Sequence, residues 1–252
     1  MHNPFNPHQP LLQMASNELY QYSVLSALMS GAAQSGVPLS QILSHGNHGL
    51  GTFQRLQGEM IILDGSAYQM KSDGSVIPNL ERDHGDQIIP FAMITSFQPS
   101  VTEAITFDSK QGLADKISAL LPKTQNHFLA FRIDGEFSQV SVRTVGGQLT
   151  PHEKLVDVGK RQATHTFSSI RGSIIGFRSP AYFQGISVAG DHMHLISEDR
   201  KFGGHLQACS ATEQVTLGAA TIHRFDLQLP EDDEFGHVDL AVDNEGIQTV
   251  EG

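Results

Sequence analysis

Three histidines, His192, His194 and His205, constrain the fold of this chain more than any other feature. Side chains alternate between the two faces of a strand, so His192 and His194, which are separated by one residue, point to the same side. The glycine-containing segment Arg200–Gly204 can reverse the chain, and a returning strand then places His205 beside the other two. The spacing therefore predicts two paired strands that present three imidazoles on one face.

Three converging imidazoles are typical of a catalytic metal site. Three protein ligands leave a coordination position open, whereas structural zinc sites are generally closed by four ligands and often contain cysteine. Zinc is favoured over iron because no specific carboxylate completes a facial triad of two histidines and an acid, although imidazole also suits iron, nickel and copper. Most of the 13 histidines are expected on the surface or in turns, and we assign His45 and His48 to loops.

The composition is that of a globular protein with ample length for a core. The 252 residues, of which 39% are hydrophobic and 17% charged, allow one large domain or two small ones. The 24 glycines and 14 phenylalanines, without tryptophan, favour strands and tight turns over a helical bundle. Cys209 is the only cysteine, so no intrachain disulfide can form and a reducing, cytoplasmic location is expected.

The first residues indicate neither secretion nor membrane insertion. Residues 1–10 contain three prolines and no apolar core, so they do not have the pattern of a signal peptide. Residues 1–15 are expected to form a disordered leader. No stretch of the sequence approaches the apolar length of a membrane span, so no membrane partner is expected.

The net charge of −11 is concentrated at the C-terminal end of the chain. No lysine or arginine follows Arg224, and nine acidic residues lie beyond it. Such a run usually forms a solvated face or tail. It also argues against nucleic acid as a partner, because binding of the phosphate backbone requires basic patches.

Apolar periodicity predicts a mixed α+β (α/β) protein with a few helices. Helical spacing predicts one helix over residues 16–36 and another over residues 109–121. Apolar runs interrupted by Asp-Gly predict β-hairpins over residues 58–70 and 128–145. Residues 87–97 form a further strand candidate.

These elements predict two domains built on mixed β-sheets. The polar segment 146–166 is the predicted boundary, because it lacks apolar periodicity. An N-terminal mixed-sheet domain is expected over residues 16–150. A strand-rich C-terminal domain over residues 166–252 is expected to carry the three histidines.

Five segments of the sequence form a distinctive set. They are Gly51–Phe53, Gly58–Gly65, Val142–Val145, Gly190–His194 and Gly203–His205. The Gly-Glu-x-x-x-x-Asp-Gly hairpin and the His-x-His segment followed by Gly-Gly-His are specific as a pair. Together the five segments resemble the alpha-acetolactate decarboxylase family, and the match runs in order from about Leu19 to the C-terminus, nearly the whole chain.

The resemblance implies a zinc enzyme of two mixed α/β domains, usually a homodimer, with the metal site between the domains. It implies conversion of a small 2-hydroxy-3-oxo acid, 2-acetolactate, to acetoin and CO2 in the acetoin and butanediol pathway. By their place in the motifs, His192, His194 and His205 match the zinc ligands.

The resemblance also implies roles for four further residues. Glu59 and Arg143 match the active-site glutamate and arginine of the family, and Thr52 matches a loop that borders the substrate pocket. Glu251, the penultimate residue, matches a glutamate close to the family's C-terminus, with Glu245 as the fallback.

The chemistry of 2-acetolactate explains why such groups suit it. Loss of CO2 leaves an electron pair beside a ketone, which can take up that pair as an enediolate, so no thiamine or pyridoxal cofactor is expected. Zinc on the ketone and hydroxyl oxygens is expected to stabilise the developing oxyanion. Arg143 either grips the substrate carboxylate or, as we prefer, orients the substrate and stabilises the oxyanion. Glu59 and Glu251 are the candidates for proton transfer.

Two other kinds of protein remain compatible with the histidine spacing. A cupin-like metal enzyme, such as a dioxygenase or an isomerase, also uses His-x-His with a later histidine. Against it, Glu198 lies four residues after His194 rather than at the usual cupin spacing, and the N-terminal half is left unexplained. A metal-dependent small-molecule sensor would bind a diol tightly without turnover.

Overall fold

The computed structural model describes residues 16–78 and 87–251, so the leader predicted over residues 1–15 lies outside the described residues. Strands dominate, and the helices are few and mostly short. The strands are β1 (Leu19–Tyr22), β2 (Val37–Pro38), β3 (His48–Thr52), β4 (Glu59–Leu63), β5 (Ser66–Met70), β6 (Val76–Ile77), β7 (Ile88–Ile89), β8 (Phe91–Thr95), β9 (Val101–Phe107), β10 (Phe128–Thr144), β11 (Ala163–Ser179), β12 (Gly190–Ser197), β13 (Gly203–Ile222) and β14 (Phe225–Gln228). The α-helices are α1 (Leu25–Met29), α2 (Leu39–Leu43), α3 (Lys110–Leu120), α4 (Leu155–Gly159), α5 (Asp233–His237) and α6 (Asn244–Glu251).

The first sheet is mixed and has the strand order β14-β1-β8-β3-β4-β5-β6. β1 pairs in parallel with β14 and antiparallel with β8. β14 belongs to the acidic C-terminal segment, which also forms α5 and α6. That segment is therefore folded into the protein rather than a free tail, and most of its described acidic side chains are exposed, as the prediction of a solvated face requires.

The second sheet closes on itself. Its strand order is β10-β11-β12-β13-β9, and β10 pairs with β13 as well. β13 pairs with β10 along one edge, and with β12 and then β9 along the other. Strands β10, β11, β12 and β13 therefore form a closed ring, which removes the free edges of these strands where they pair.

The two sheets pack together through β4 and β5 of the first sheet and β11 and β12 of the second. Ile61, Met70, Ile175 and Ile196 are fully buried in the cluster between them. Burial of such side chains stabilises the docked sheets by about 1.5–3 kcal/mol each. This contact brings β4 against β12, the strand that carries two of the three histidines.

Three of the predicted elements are confirmed. The strand candidate over residues 87–97 contains β8 and the short strand β7. The hairpin over residues 58–70 consists of β4 and β5, and its turn residues have positive φ, 54° at Asp64 and 81° at Gly65, as a type I′ turn requires. The helix over residues 109–121 is α3, and the Ser109 hydroxyl caps it by accepting a hydrogen bond from the amide three residues later at 3.1 Å.

The predicted helix over residues 16–36 is wrong for most of its length. Leu19–Tyr22 form the strand β1, and the helix α1 covers only Leu25–Met29. Ser23, which lies between β1 and α1, has a φ of 65°. This left-handed conformation belongs neither to a strand nor to an α-helix. The strand forms because its backbone pairs with β8 and β14, which come from distant parts of the chain, and this pairing overrides the local helical spacing.

The predicted hairpin over residues 128–145 is also wrong, because β10 runs through it as one continuous strand. Asp134 lies within the strand and accepts a hydrogen bond at 2.6 Å from the Ser173 hydroxyl on β11. Gly135 is required by packing rather than by a turn, since a Cβ there would lie 2.6 Å from a methyl carbon of Val215.

Sheet membership does not follow the predicted boundary at residues 146–166. β9 and β10 precede that segment and lie in the second sheet, whereas β14 follows it and lies in the first. The mixed α+β class is confirmed, while the division into two domains stays a prediction. Across residues 16–78 and 87–251, no helix has the length and apolar character needed to cross a membrane.

Candidate metal centre and active site

The three histidines meet as their spacing predicts. His192 and His194 lie on β12, and His194 is the direct partner of His205 across the β12–β13 pairing. Their possible ligand atoms all lie within 4.8 Å of one another. The three side chains are 7%, 1% and 2% exposed in chain order, so the cluster is shielded from solvent.

The two glycines before His205 allow β13 to approach its neighbours closely. A Cβ at Gly203 would lie 2.6 Å from the Leu195 carbonyl oxygen. A Cβ at Gly204 would lie 2.7 Å from the carbonyl oxygen of Arg143 on β10. Any larger residue would therefore push β13 away from β12 or β10 and displace His205 from the cluster.

The histidines are held in the neutral form that a metal ion requires. Burial is the main cause that lowers the pKa of all three, and it brings the pKa of His194 to about 4. The nearby charge of Arg143 lowers the pKa of all three further. His194 also lowers the pKa of His192, and both His192 and His194 lower that of His205. Neutral imidazole is the metal-binding form, so the electrostatics favour coordination over protonation.

His194 is also fixed in one tautomer. Its Nδ1–H donates a hydrogen bond to the Met60 carbonyl oxygen on β4 at 2.8 Å, which leaves the lone pair on Nε2. In the described part of the chain, the buried Nε2 atom of His194 makes no hydrogen bond. A buried acceptor atom of this kind, grouped with two further imidazoles, fits a divalent metal ion of the zinc type. The donor set by itself does not distinguish zinc from other ions that imidazole binds.

Glu59 borders the histidine cluster from the first sheet. It begins β4, and its Oε2 atom lies 3.7 Å from Nε2 of His194, beyond hydrogen-bond distance. Its side chain is 13% exposed. A carboxylate at this distance can contact a ligand or substrate bound at the cluster.

Arg143 borders the cluster from the second sheet. It lies on β10 directly opposite His205 and is 3% exposed. Its Nη1 atom donates a hydrogen bond to the Gln162 side-chain oxygen at 3.0 Å, which fixes one edge of the guanidinium. A buried guanidinium beside neutral histidines is a source of positive charge for an anionic substrate.

Thr52 lies next to Glu59, as its partner in the β3–β4 pairing. Its hydroxyl donates a hydrogen bond to the Gly58 carbonyl oxygen at 2.7 Å, so it ties together the two ends of the loop before Glu59. Because the hydroxyl proton is already donated to this carbonyl oxygen, Thr52 can only accept hydrogen bonds from a substrate.

These three predicted residues line one small cavity. Its volume of about 30 Å³ gives room for at least one ordered water molecule. The polar residues that line it are Thr52, Glu59 and Arg143. The apolar residues that line it are Leu28, Leu56, Val145, Leu155 and Val250.

The C-terminal helix reaches this cavity. Val250, on α6, is one of the lining residues. Glu251 ends α6, but its side chain is outside the described residues, so its predicted role stays a prediction. Glu245 lies in the first turn of α6, where it is exposed and does not line the cavity.

Three groups that act on the site were not predicted from the sequence. Gln162 holds Arg143, the Met60 carbonyl orients His194, and the positive charge of Lys110 on α3 helps to lower the pKa of His192 and His205. Met60 directly follows Glu59 in the recognised hairpin, so its position could have been noticed. The other two contacts depend on how the strands and α3 pack.

Two predictions about other residues are tested by these contacts. His48, assigned to a loop, instead lies in β3, is 2% exposed and stacks on Phe97. Glu198, the residue nearest to a cupin-like carboxylate, has a side chain that is 71% exposed and lies 3.6 Å from Arg171. Among the described residues, the group that could hold a metal ion is the histidine cluster without Glu198, so Glu198 does not complete a cupin-like ligand set.

Known proteins resemble this chain over nearly its whole length. The family model described as alpha-acetolactate decarboxylase matches residues 19–242. The chain is 38% identical to the alpha-acetolactate decarboxylase of Raoultella terrigena, over 95% of this chain and 89% of that protein. It is 37% identical to the alpha-acetolactate decarboxylase of Bacillus subtilis (strain 168), over 94% of this chain and 91% of that protein.

The fold agrees with this sequence similarity. A crystal structure of alpha-acetolactate decarboxylase from Bacillus subtilis strain 168 matches with a TM-score of 0.87 at 35% identity, covering 93% of this chain and 99% of that chain. The match therefore includes both sheets and the strands that carry the histidine cluster. The chain belongs to the alpha-acetolactate decarboxylase family.

Proposed function

We propose that this protein converts 2-acetolactate to acetoin and CO2, and that it does so with a bound zinc ion. The observation that carries the proposal is the buried cluster of three neutral histidines with Glu59 and Arg143 beside it, in a chain of this family. His192, His194 and His205 would hold the ion. A bound zinc ion would act as a Lewis acid that stabilises negative charge on the substrate oxygens.

Arg143 binds and orients the anionic substrate in this proposal. A tight grip on the carboxylate would also stabilise the ground state, and loss of CO2 would then become harder. Contact with the oxygen that becomes negative during the reaction is more productive, because it strengthens as the reaction proceeds. The hydrogen bond to Gln162 keeps the guanidinium in one orientation for this purpose.

Glu59 handles the proton that replaces CO2. After CO2 leaves, the carbon that carried it must gain a proton, and an acid fixed on one face would yield one enantiomer of acetoin. Glu59 is suited to this because it borders both the histidine cluster and the cavity. We propose Glu251 as a second proton-handling group, on the basis of its place in the family motif and of Val250 lining the cavity beside it.

The surrounding apolar side chains exclude water from the site. Low solvent access strengthens the attraction between Arg143 and a developing negative charge. The substrate carries its own electron sink in the adjacent ketone, so we propose that no organic cofactor takes part. We also propose a cytoplasmic homodimer, which the lone cysteine and the family resemblance support.

The test is formation of acetoin and CO2 from racemic 2-acetolactate by chelated protein and by the same protein with zinc restored. We expect no turnover after chelation and recovery with zinc alone. The variants His192→Ala, His194→Ala and His205→Ala should each lose turnover and zinc, measured by metal analysis. His223→Ala, which changes an exposed histidine, is the matched control and should keep both.

An alternative function remains if the protein binds zinc but does not decarboxylate 2-acetolactate. If zinc binds stoichiometrically and no acetoin forms, the metal centre stands and the decarboxylase proposal fails. A metal-dependent small-molecule sensor would then be the better assignment, and tight binding of a diol without turnover would support it.

A further inference from the structure

One carboxylate of the acidic C-terminal segment is bound by the turn that follows α1. The Glu234 side chain, on α5, is 11% exposed. Its Oε1 atom accepts a hydrogen bond from the Ala33 amide at 3.2 Å, and its Oε2 atom accepts from the amides of Gln34 at 3.0 Å and Ser35 at 3.3 Å. The Ser35 hydroxyl donates to Oε2 at 3.2 Å, and Nδ1 of the exposed His152 ring lies 2.9 Å from Oε1. Three successive amides directed at one anion form a nest, and the charge strengthens each of these hydrogen bonds.

The turn that binds Glu234 also holds the loop that precedes Glu59. The Ala33 carbonyl oxygen accepts a hydrogen bond from the Arg55 amide at 2.6 Å. Arg55 and Leu56 have φ values of 60° and 56°, in the left-handed region that residues other than glycine rarely adopt. Two such residues in succession are strained, and a strained backbone persists only where its surroundings hold it. The hydrogen bond from Arg55 to the turn is one of the contacts that hold it.

Gln148 supports the same loop from another direction. It is 5% exposed, and its backbone amide donates a hydrogen bond to the Arg55 carbonyl oxygen at 2.8 Å. Its Nε2 atom donates to the carbonyl oxygen of Gly31, at the start of the turn, at 2.9 Å. Removal of the Glu234 carboxylate takes away the acceptor of three amides but leaves these contacts in place. We therefore expect the loop to shift while the protein stays folded.

The loop decides where the active-site residues on either side of it lie. Leu56 is 1% exposed and lines the cavity together with Thr52 and Glu59. Gly58 ends the loop, and its carbonyl oxygen accepts the hydrogen bond from the Thr52 hydroxyl at 2.7 Å. Glu59 is the next residue of the chain. A displacement of the strained pair is therefore passed to Gly58 and to the carboxylate beside the histidine cluster.

We infer that Glu234 is a positioning residue for the active site, which fixes Glu59 through the turn at residues 33–35 and the loop at residues 53–58. Glu234 does not line the cavity, so it acts only through these segments. This inference rests on the proposed decarboxylation and on the proposed proton transfer from Glu59. A proton donor held in one place delivers its proton to one face of the substrate, whereas a displaced donor leaves water to protonate either face.

The experiment measures kcat and the enantiomeric excess of the acetoin that zinc-loaded protein forms from racemic 2-acetolactate. Glu234→Ala and Glu234→Gln should each lower kcat about tenfold and lower the enantiomeric excess, with zinc content unchanged because the histidines lie on β12 and β13. Glu234→Gln keeps the size of the side chain but removes its charge and adds a donor to the nest, so it tests the carboxylate with little loss of packing. Glu231→Ala removes an exposed carboxylate from the same segment and should keep both wild-type values.

The enantiomeric excess separates positioning from a loss of folded protein. Unfolded molecules form no acetoin, so a purely structural role of Glu234 lowers kcat and leaves the enantiomeric excess unchanged. That result, or wild-type values of both quantities in the two Glu234 variants, overturns the inference. If the zinc-loaded wild-type protein forms no acetoin, the proposed function itself fails. If the wild-type protein forms racemic acetoin, the decarboxylation stands, while the proton transfer from Glu59 and this inference both fail.

Discussion

Acidification is expected to destabilise the metal-free protein, and part of the loss in the free energy of unfolding comes from His48. His48 is buried in β3, and its ring stacks on Phe97 at a centroid distance of 4.6 Å. Burial, followed by the positive charge of Arg132, lowers its pKa from 6.5 to about 3, although the backbone carbonyls of Gly176 and Phe131 oppose the shift. Below pH 6.5 the unfolded chain takes up a proton at His48 that the folded chain does not, so stability is lost as the pH falls towards 3.

The size of the effect follows from the two pKa values. Above pH 6.5 both states hold His48 neutral, and its ionisation contributes nothing to the pH dependence. Each pKa unit corresponds to about 1.4 kcal/mol, so the folded state loses roughly 2 kcal/mol by pH 5 and roughly 3 kcal/mol by pH 4 through this residue. Against a typical total of about 5–15 kcal/mol, such a loss is readily measured.

Guanidinium denaturation of the chelated protein at about pH 7 and about pH 5 measures this loss. The variant His48→Gln lacks the titrating group, so its loss of unfolding free energy between the two pH values should be roughly 2 kcal/mol smaller than that of the wild type. The variant His223→Gln, which changes an exposed histidine, should keep the wild-type loss. Equal losses in the wild type and His48→Gln would refute the reasoning, because the folded protein would then accommodate a proton on His48.

Four further predictions concern the site and the fold. Arg143→Lys should lower kcat about a hundredfold, because a lysine cannot keep the hydrogen bond to Gln162 while it contacts the substrate, and steady-state kinetics with unchanged zinc content would test this. Gln162→Ala should lower kcat about tenfold and leave zinc content unchanged, as expected for a residue that only positions Arg143. Glu251→Gln should lower kcat, whereas Glu245→Gln should not, and equal turnover of the two variants would remove Glu251 from the mechanism. Ser109→Ala should destabilise the protein by about 1 kcal/mol through loss of the α3 cap, seen as a lower denaturation midpoint with an unchanged slope.

The parts of the fold that local rules govern could be predicted from the sequence. The Asp64-Gly65 turn and the alternating apolar residues around it specify the β4–β5 hairpin. The same alternation placed His192 and His194 on one face, and the glycine pair before His205 marked the return of the chain. In each case the residues that decide the conformation are close together in the sequence.

The predictions that were wrong concern segments whose conformation depends on contacts with residues distant in the sequence. β1 is a strand because β14 and β8 pair with it. The residues near Leu19–Tyr22 in the sequence do not indicate these pairings. Asp134-Gly135 has the composition of a turn, yet the Ser173 hydrogen bond and the close approach of Val215 keep it within a strand. Similarly, Gln162 reaches Arg143 only because β10 and β11 pair at that point.

The histidine cluster depends both on local sequence patterns and on contacts between distant parts of the chain. The β12–β13 pairing, which the sequence indicates, is enough to bring the three imidazoles together. Their protonation and orientation require the first sheet as well, because the Met60 carbonyl on β4 fixes His194 and the docked sheets supply the burial that lowers the pKa values. The candidate metal centre therefore depends on the docking of the two sheets as well as on the His-x-His motif.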